Sequence, residues 1–362
     1  LAINILPYFI VLLLLLIISG MNTSENKKVS LCFIVLFLFA AVRYGVGYDY
    51  YSYLSYVTNE RDESNYEGVE PLSRLLMQLA IYTHYQLFFA LGSLLTIYPV
   101  FIICKKYSIN PVMSLLVFYL HPAFYLAFFS IVRNGIAISF VFYAIMMLQE
   151  KKLIKSVALI ICACLFHKSA LIGILIYPLF YFPSNKRLHL VAFVVSFGLS
   201  ILMARMITQY GAAFELMGKA ERYLNSDAKG GGLMTIIVNG LGVVNLYFWD
   251  KIKKCRCGYD KLLGMCNVGV CLWNIFLPLN ITMAERFSLA FMTPIILIVP
   301  CYSQCFSLKI RMLVRRLTYL FFIALFCSHF YISIASFLKS PERMSSIPYQ
   351  TVFFGEDYSN LQ

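Results

Sequence analysis

Residues 86–104 read QLFFALGSLLTIYPVFIIC, and Lys105 and Lys106 follow at once. The run carries no charge and its apolar character goes all the way round a helix. A water-facing helix would instead show one apolar stripe and one polar face. About 20 such residues suffice to cross the roughly 30 Å hydrocarbon core of a bilayer. The lysine pair closes the run as cytoplasmic anchors close a membrane span.

The same grammar recurs along the chain. Of its 362 residues 60% are hydrophobic and only 13% charged, whereas soluble domains carry about 25% charge. Too little charge remains to cover a soluble surface, so the expected fold class is all-α, a polytopic integral membrane protein. Scanning predicts about 12 transmembrane helices (range 10–12), all within a single membrane domain spanning residues 1–362. They fall at 3–20, 29–44, 86–104, 111–129, 132–148, 153–166, 169–182, 189–206, 232–249, 262–280, 287–305 and 317–338. Residues 1–20 read as a first span and not a cleaved signal, since no small-residue cleavage site follows. His167 and Lys168 split the short sixth and seventh runs, which could form one bent hairpin or a pair of broken helices. A further helix over 71–84 is expected to lie near the interface.

The basic residues set the orientation. With the N-terminus outside, the cytoplasmic joints are 21–28, 105–110, 149–155, 183–188, 250–261 and 306–316. They hold 18 of the 30 Lys and Arg but only four acids, Glu25, Glu150, Asp250 and Asp260. Most of the +13 net charge is therefore a topology signal, and nucleic acid is excluded as a partner. The outer side keeps a loop at 45–85, a segment near 206–231 in which Gly230–Gly232 reads as a hinge, and a tail at 339–362. Most of the eleven cysteines sit inside apolar runs as small packing residues. Cys255 and Cys257 form a lone C-x-C with no second pair, so no metal site is expected.

Polar residues at the outer ends of spans are costly in lipid and point to function. Arg43, Arg133 and Arg286 all run against the positive-inside trend. Arg133 stands in FFSIVRNGIAISF, where helical spacing puts Ser130, Arg133 and Ala137 on one face. Arg286 follows Glu285, which could simply neutralise it. Guanidinium groups bind phosphate in bidentate fashion and stay charged in a low-dielectric site, so the three together would grip a diphosphate. His167, in CACLFHKSALIGI, has a side chain suited to proton transfer near neutral pH. Asp49 and Glu70 flank an acidic loop face (Glu60, Asp62, Glu63). Either could serve as a base, orient a histidine or pair with an arginine, Asp49 with Arg43 in particular. His121, beside Pro122, reads as a packing residue. Six tyrosines crowd residues 44–56, more than an interfacial belt needs. Tyr48, Tyr50 and Tyr53 would stack on sugar rings and hydrogen-bond their rims. Gly45 and Gly47 would make tight turns.

Four stretches in order resemble the EpsG family of Wzy-like polymerases of bacterial surface polysaccharides: RYGVGYDYYSY (43–53), VEPLSRLL (69–76), SIVRNGIAIS (130–139) and HKSALI (167–172). SIPYQTVFF near the end is a fainter echo. The chain departs from the family pattern at Tyr48, where Thr is frequent, and at Asn134, where Gln is frequent. The resemblance implies a glycosyltransferase of the bacterial cytoplasmic (inner) membrane, with its active site facing the periplasm. A growing glycan, O-antigen of lipopolysaccharide or another surface polysaccharide, would pass from undecaprenyl diphosphate onto a lipid-linked oligosaccharide repeat unit. The donor is already activated, so no cofactor is needed. Arg43, Arg133 and Arg286 would bind the diphosphate and His167 would be the base, with Asp49 or Glu70 as rivals. Membrane lipid and a chain-length regulator protein are the implied partners. Other classes compatible with the residues are a membrane acyltransferase acting on a surface glycan, a transporter or flippase for lipid-linked sugars, and a structural membrane component.

Overall fold

A computed structural model describes residues 4–58, 68–215, 232–339 and 347–353. The acidic cluster Glu60, Asp62 and Glu63, the glycines Gly230 and Gly231, and the tail beyond 353 lie outside the described residues. The described residues are mainly helical. Helices α1 (Leu6–Gly20) and α2 (Glu25–Ala41) lead to a two-residue strand β1 (Arg43–Tyr44), then α3 (Tyr50–Val57) and α4 (Pro71–Ile81). Helices α5 (Gln86–Tyr107), α6 (Pro111–Leu120), α7 (Ala127–Ser130), α8 (Val132–Gln149) and α9 (Leu153–Phe166) follow. A 3-10 stretch over Lys168–Leu175 runs into α10 (Ile176–Tyr181) and α11 (Lys186–Glu215). The second half is α12 (Gly232–Tyr247), α13 (Trp249–Ile252), α14 (Tyr259–Phe276), α15 (Ile281–Met292), α16 (Ile295–Ile298) and α17 (Leu308–Lys339), closed by β2 (Gln350–Thr351).

Local chemistry sets the helix starts. Ser24 accepts the Lys27 amide at the head of α2, Asn110 accepts the Met113 amide ahead of Pro111, and Asn280 accepts the Thr282 amide at α15. These are the side chains that best satisfy the orphan donors of a first turn. Pro71 opens α4 directly after Glu70, where its fixed φ is already helical and its missing N–H costs nothing.

An all-α membrane protein is what the chain forms. Among the described residues four helices are long and apolar enough to cross a bilayer: Gln86–Tyr107, Val132–Gln149, Lys186–Met206 and Leu308–Ala335. Ile281–Met292 with Ile295–Cys305 makes a fifth if the pair, bent by 48°, is one span. The remaining apolar runs resolve into shorter helices, so helix length alone does not yield twelve crossings. The predicted 111–129 run breaks at His121, and the 153–182 region is indeed broken, with a 14-residue helix ending before His167. Helix α4 falls where the sequence predicts a helix over 71–84. Leu76, Met77 and Ala80 are buried, while Leu75, Leu79 and Tyr82 are exposed.

Three contacts tie together the segments that carry the candidate residues. Ser73 of α4 donates to the Phe166 carbonyl at 2.7 Å, tying the 45–85 segment to the end of α9. Ser156 of α9 donates to the Ala144 carbonyl of α8 at 2.9 Å. Finally β2 returns to pair antiparallel with β1, Arg43 against Thr351 and Tyr44 against Gln350. The Tyr349 ring stacks on Phe39 at 4.1 Å and its hydroxyl donates to the Phe39 carbonyl. The faint SIPYQTVFF echo thus marks the segment that closes the chain's two ends together.

Candidate active site

The tight turn at 45–49 places the first site residue. Gly45 and Gly47 have φ of +65° and +116°, as the sequence predicts. At Gly47 a Cβ would stand 2.5 Å from the Phe129 carbonyl oxygen. Only glycine lets the turn press on the 129–130 backbone, where the Tyr48 amide donates to Ser130 Oγ at 3.1 Å. Asp49 then begins α3 without capping it, and its carboxylate accepts no hydrogen bond among the described residues. Burial raises the Asp49 carboxyl above its ordinary range, while the charges of Arg286 and Arg133 oppose the rise.

Arg133 lies in the first turn of α8. The backbone breaks at Ile131 (φ −107°, ψ 55°), so Ser130 belongs to α7 and not to the face of Arg133 and Ala137. This corrects the shared seam read from helical spacing, because that spacing assumed one unbroken helix. Arg133 Nη1 donates to Glu70 Oε2 at 2.6 Å, with both side chains mostly buried. The other Glu70 oxygen accepts the Lys168 amide at 3.0 Å. With both oxygens engaged, Glu70 is a staple joining three segments and not a free base. Arg133 Nε is buried without a hydrogen-bond partner among the described residues, a donor that an anion would satisfy. Tyr53 packs its ring near the same guanidinium and is 6% exposed, which corrects its expected place on a sugar ring.

His167 caps the C-terminal end of α9 at the joint with the 3-10 stretch. Its Nδ1 faces Ser169 Oγ at 2.7 Å, and Ser169 Oγ donates to Asn134 Oδ1 at 2.8 Å. Burial, chiefly, and then the charges of Arg133, Arg286 and Lys168 push the imidazole down to about 4, against an opposing pull from Glu70. Arg286, on α15, therefore acts electrostatically on both Asp49 and His167. Five of the predicted residues, Asp49, Glu70, Arg133, His167 and Arg286, come together from five segments.

Arg43 does not join them. It is 1% exposed, and its Nη1 donates to the Ala40 carbonyl and to Ser93 Oγ at 2.8 and 2.9 Å. The guanidinium lies 4.5 Å from the Phe129 ring centroid and 5.4 Å from that of Phe89. The charges acting on Asp49 are those of Arg286 and Arg133. Arg43 is a buried strut beneath the turn, which reduces the expected three-arginine grip to two. Tyr50 is likewise corrected. It is fully buried and stacks on Phe89 at 4.2 Å, so it cannot meet a sugar. Tyr48 is 58% exposed. His121 is the packing residue expected, buried against Phe124.

Beside the charged cluster lies a cavity of about 450 Å³, mostly apolar, with Tyr48, Ser130, Glu285 and His329 among its lining. Glu285 was legible only as a neutraliser of its neighbour. In the fold it lines this cavity, because successive helical residues point about 100° apart. Ser169 and Asn134 were also not assigned a role from sequence. The signal was present: Ser169 sits two residues from His167, and Asn134 is beside Arg133 at a position where the family pattern changes. Among the described residues no group of three or more His, Cys, Asp or Glu is arranged to hold a metal ion.

The sequence profile of the EpsG family matches residues 27–351. No curated protein and no solved structure matches the chain. The profile takes in every residue of the cluster and reaches the β2 segment. EpsG proteins are Wzy-like polysaccharide polymerases, glycosyltransferase-like membrane enzymes, and this chain belongs to the EpsG family.

Proposed function

We propose that the protein polymerises a surface glycan by moving the growing chain from undecaprenyl diphosphate onto a fresh lipid-linked repeat unit, at the outer face of the cytoplasmic membrane. The observation that carries this reading is a two-arginine cluster beside a largely apolar cavity. Such a pairing suits an amphiphile whose anionic head sits at Arg133 and Arg286 while apolar chain lies alongside. Membrane lipid is then both surroundings and substrate class.

In the transfer, an acceptor hydroxyl loses its proton as its oxygen bonds to the anomeric carbon, and the bond to the diphosphate breaks with the electron pair leaving on oxygen. Fixed donors aimed at that developing charge are the usual source of such stabilisation. Arg133 Nε is such a donor, held ready without a partner among the described residues. Glu70 holds the Arg133 side chain in place. His167 takes the proton, with Asp49 as the rival base, and the exposed Tyr48 contacts sugar. A chain-length regulator is the protein partner that such a product calls for.

The test is gel profiling of surface glycan from a strain carrying Arg133→Ala at wild-type expression. A collapse from a ladder to single capped repeats supports the polymerase. A normal ladder rejects the role of Arg133, and loss of every repeat unit from the surface would favour a flippase.

A further inference from the structure

We propose that Glu285 holds hydroxyls of the sugar joined directly to the lipid diphosphate, so that the cavity beside the charged cluster is a sugar subsite that selects the first sugar of the repeat unit. This deepens the polymerase reading and rests on it. Three segments each send one residue to the cluster and a neighbour to the cavity wall: Asp49 and Tyr48, Arg133 and Ser130, Arg286 and Glu285. Cluster and cavity therefore adjoin. The cavity measures about 450 Å³, within the roughly 300–1,000 Å³ range of small-molecule sites.

Glu285 is a group in this wall that calls for a ligand. It is half-buried, and its carboxylate makes no hydrogen bond or ion pair among the described residues; the charge acting on it is that of Arg286. Its oxygens, though unbonded, are not sealed away. An ionised carboxylate only accepts hydrogen bonds, and one set among apolar walls costs stability until donors reach it. Two sugar hydroxyls are such donors, and a hydroxyl bonds a carboxylate more strongly than it bonds a neutral acceptor. Ser130 Oγ accepts the Tyr48 amide at 3.1 Å, which leaves its own hydrogen to give. Ser328 Oγ donates to the Leu325 carbonyl at 2.7 Å, which leaves lone pairs to receive. The wall thus offers acceptors, a donor and the exposed Tyr48, while Leu126 and Ile237 keep other parts of it apolar.

The neighbouring Arg286 decides which sugar this is. Consecutive Cα atoms stand about 3.8 Å apart, and their side chains diverge by about 100° around the helix. A diphosphate held at Arg133 and Arg286 is bonded through oxygen to the anomeric carbon of one sugar. That ring begins at the bridging oxygen, within reach of Glu285, whereas later sugars of the unit lie further along. Glu285 meets hydroxyls and not the bond that breaks, so it is a specificity-determining residue and not the base.

The experiment uses the full chain reconstituted in phosphatidylethanolamine–phosphatidylglycerol vesicles. Glu285 is labelled with dicyclohexylcarbodiimide, an apolar reagent for carboxyl groups, and the adduct is quantified by mass spectrometry with Glu285→Gln as the blank. Three saturating probes are compared: undecaprenyl diphosphate alone, the same carrier bearing only the first sugar, and the lipid-diphosphate repeat unit isolated from a strain lacking the polymerase. The one-sugar carrier and the repeat unit should each abolish most of the labelling, and the bare carrier should leave it unchanged. Equal protection by the bare carrier would assign the cavity to the lipid chain and overturn the proposal. So would protection by the full unit alone, or a Glu285 that the reagent never labels. With the repeat unit as substrate, Glu285→Ala should raise KM about 10- to 100-fold with kcat within a few fold, the loss expected of hydrogen bonds to a charged group. An unchanged KM would overturn the proposal. Glu285→Leu, which strands no partner, should melt no lower than wild type; a marked fall would make Glu285 a structural residue instead. If Glu285→Ala fails to fold, the labelling of the wild-type protein decides the matter alone. A wild-type protein that is protected by the sugar-bearing carriers yet makes no polymer would overturn the polymerase reading and leave the sugar subsite standing.

Discussion

Replacing Glu70 separates a staple from a base. Glu70 Oε2 accepts from Arg133 Nη1 at 2.6 Å and Oε1 from the Lys168 amide at 3.0 Å, in a side chain 11% exposed. A hydrogen bond to a charged group contributes about 1.5–3 kcal/mol net, and removing one partner of a mostly buried pair costs up to about 3–5 kcal/mol. Glu70→Ala loses both bonds and leaves Arg133 uncompensated, so a loss of about 3–4 kcal/mol is expected. Glu70→Gln keeps an amide oxygen for Lys168 and forfeits mainly the charge, so about 1–2 kcal/mol is expected. Thermal unfolding of the detergent-solubilised protein should therefore rank wild type above Gln above Ala. In the vesicle assay Glu70→Gln should retain activity within about tenfold, since general-base catalysis itself accounts for about a hundredfold or more. Its pH profile should match wild type. A Gln variant that melts near wild type yet is as inactive as the Ala variant, with its acid limb gone, would refute the staple and make Glu70 the base.

Arg43→Met, which fills the same apolar cage of Phe89 and Phe129, should leave activity per folded molecule within a few fold, whereas Arg133→Met should abolish it; both are read in the same assay against the folded fraction by size-exclusion chromatography. Gly47→Ala should lower kcat at least tenfold, because a Cβ 2.5 Å from the Phe129 carbonyl at a φ of +116° must push the turn, and Asp49 with it, away from Arg133. Activity against pH should fall only in acid: in kcat/KM the limb of His167 should lie well below its ordinary 6.5, nearer 4. In kcat that limb should move upward, because a bound diphosphate offsets the arginine charges that help hold the ring neutral. The same shift sets a stability slope. Between pH 6.5 and about 4 the unfolded chain binds the His167 proton and the folded chain does not, so this contribution is complete above pH 6.5 and is lost as pH falls through that window. A melting temperature unchanged between a His167→Gln variant and wild type across that range would contradict it.

The amino-acid sequence by itself determined the solvent and the class. Long uncharged runs such as 86–104 can only be stable in lipid or fully buried, and the clustering of lysines at alternate joints is written in composition. It also determined that Gly45 and Gly47 turn the chain, and it marked Asp49, Glu70, Arg133, His167 and Arg286 as residues out of place in an apolar bundle. What it could not determine is which of these meet. A charged side chain near a span end is equally anomalous whether it faces a substrate or fills a cage, because insertion cost depends on depth while role depends on neighbours in three dimensions. Arg43 and Arg133 looked alike for that reason. Only the packing of α2, α5 and α7 encloses the first beneath aromatic rings, while Glu70 and the 167–169 joint hold the second beside His167. The same holds for Tyr48 and Tyr50, two residues apart, of which one is exposed and the other buried. Asn134 and Ser169, 35 residues apart, bond only because the 3-10 stretch after α9 packs against α8, and no spacing along the chain encodes that contact.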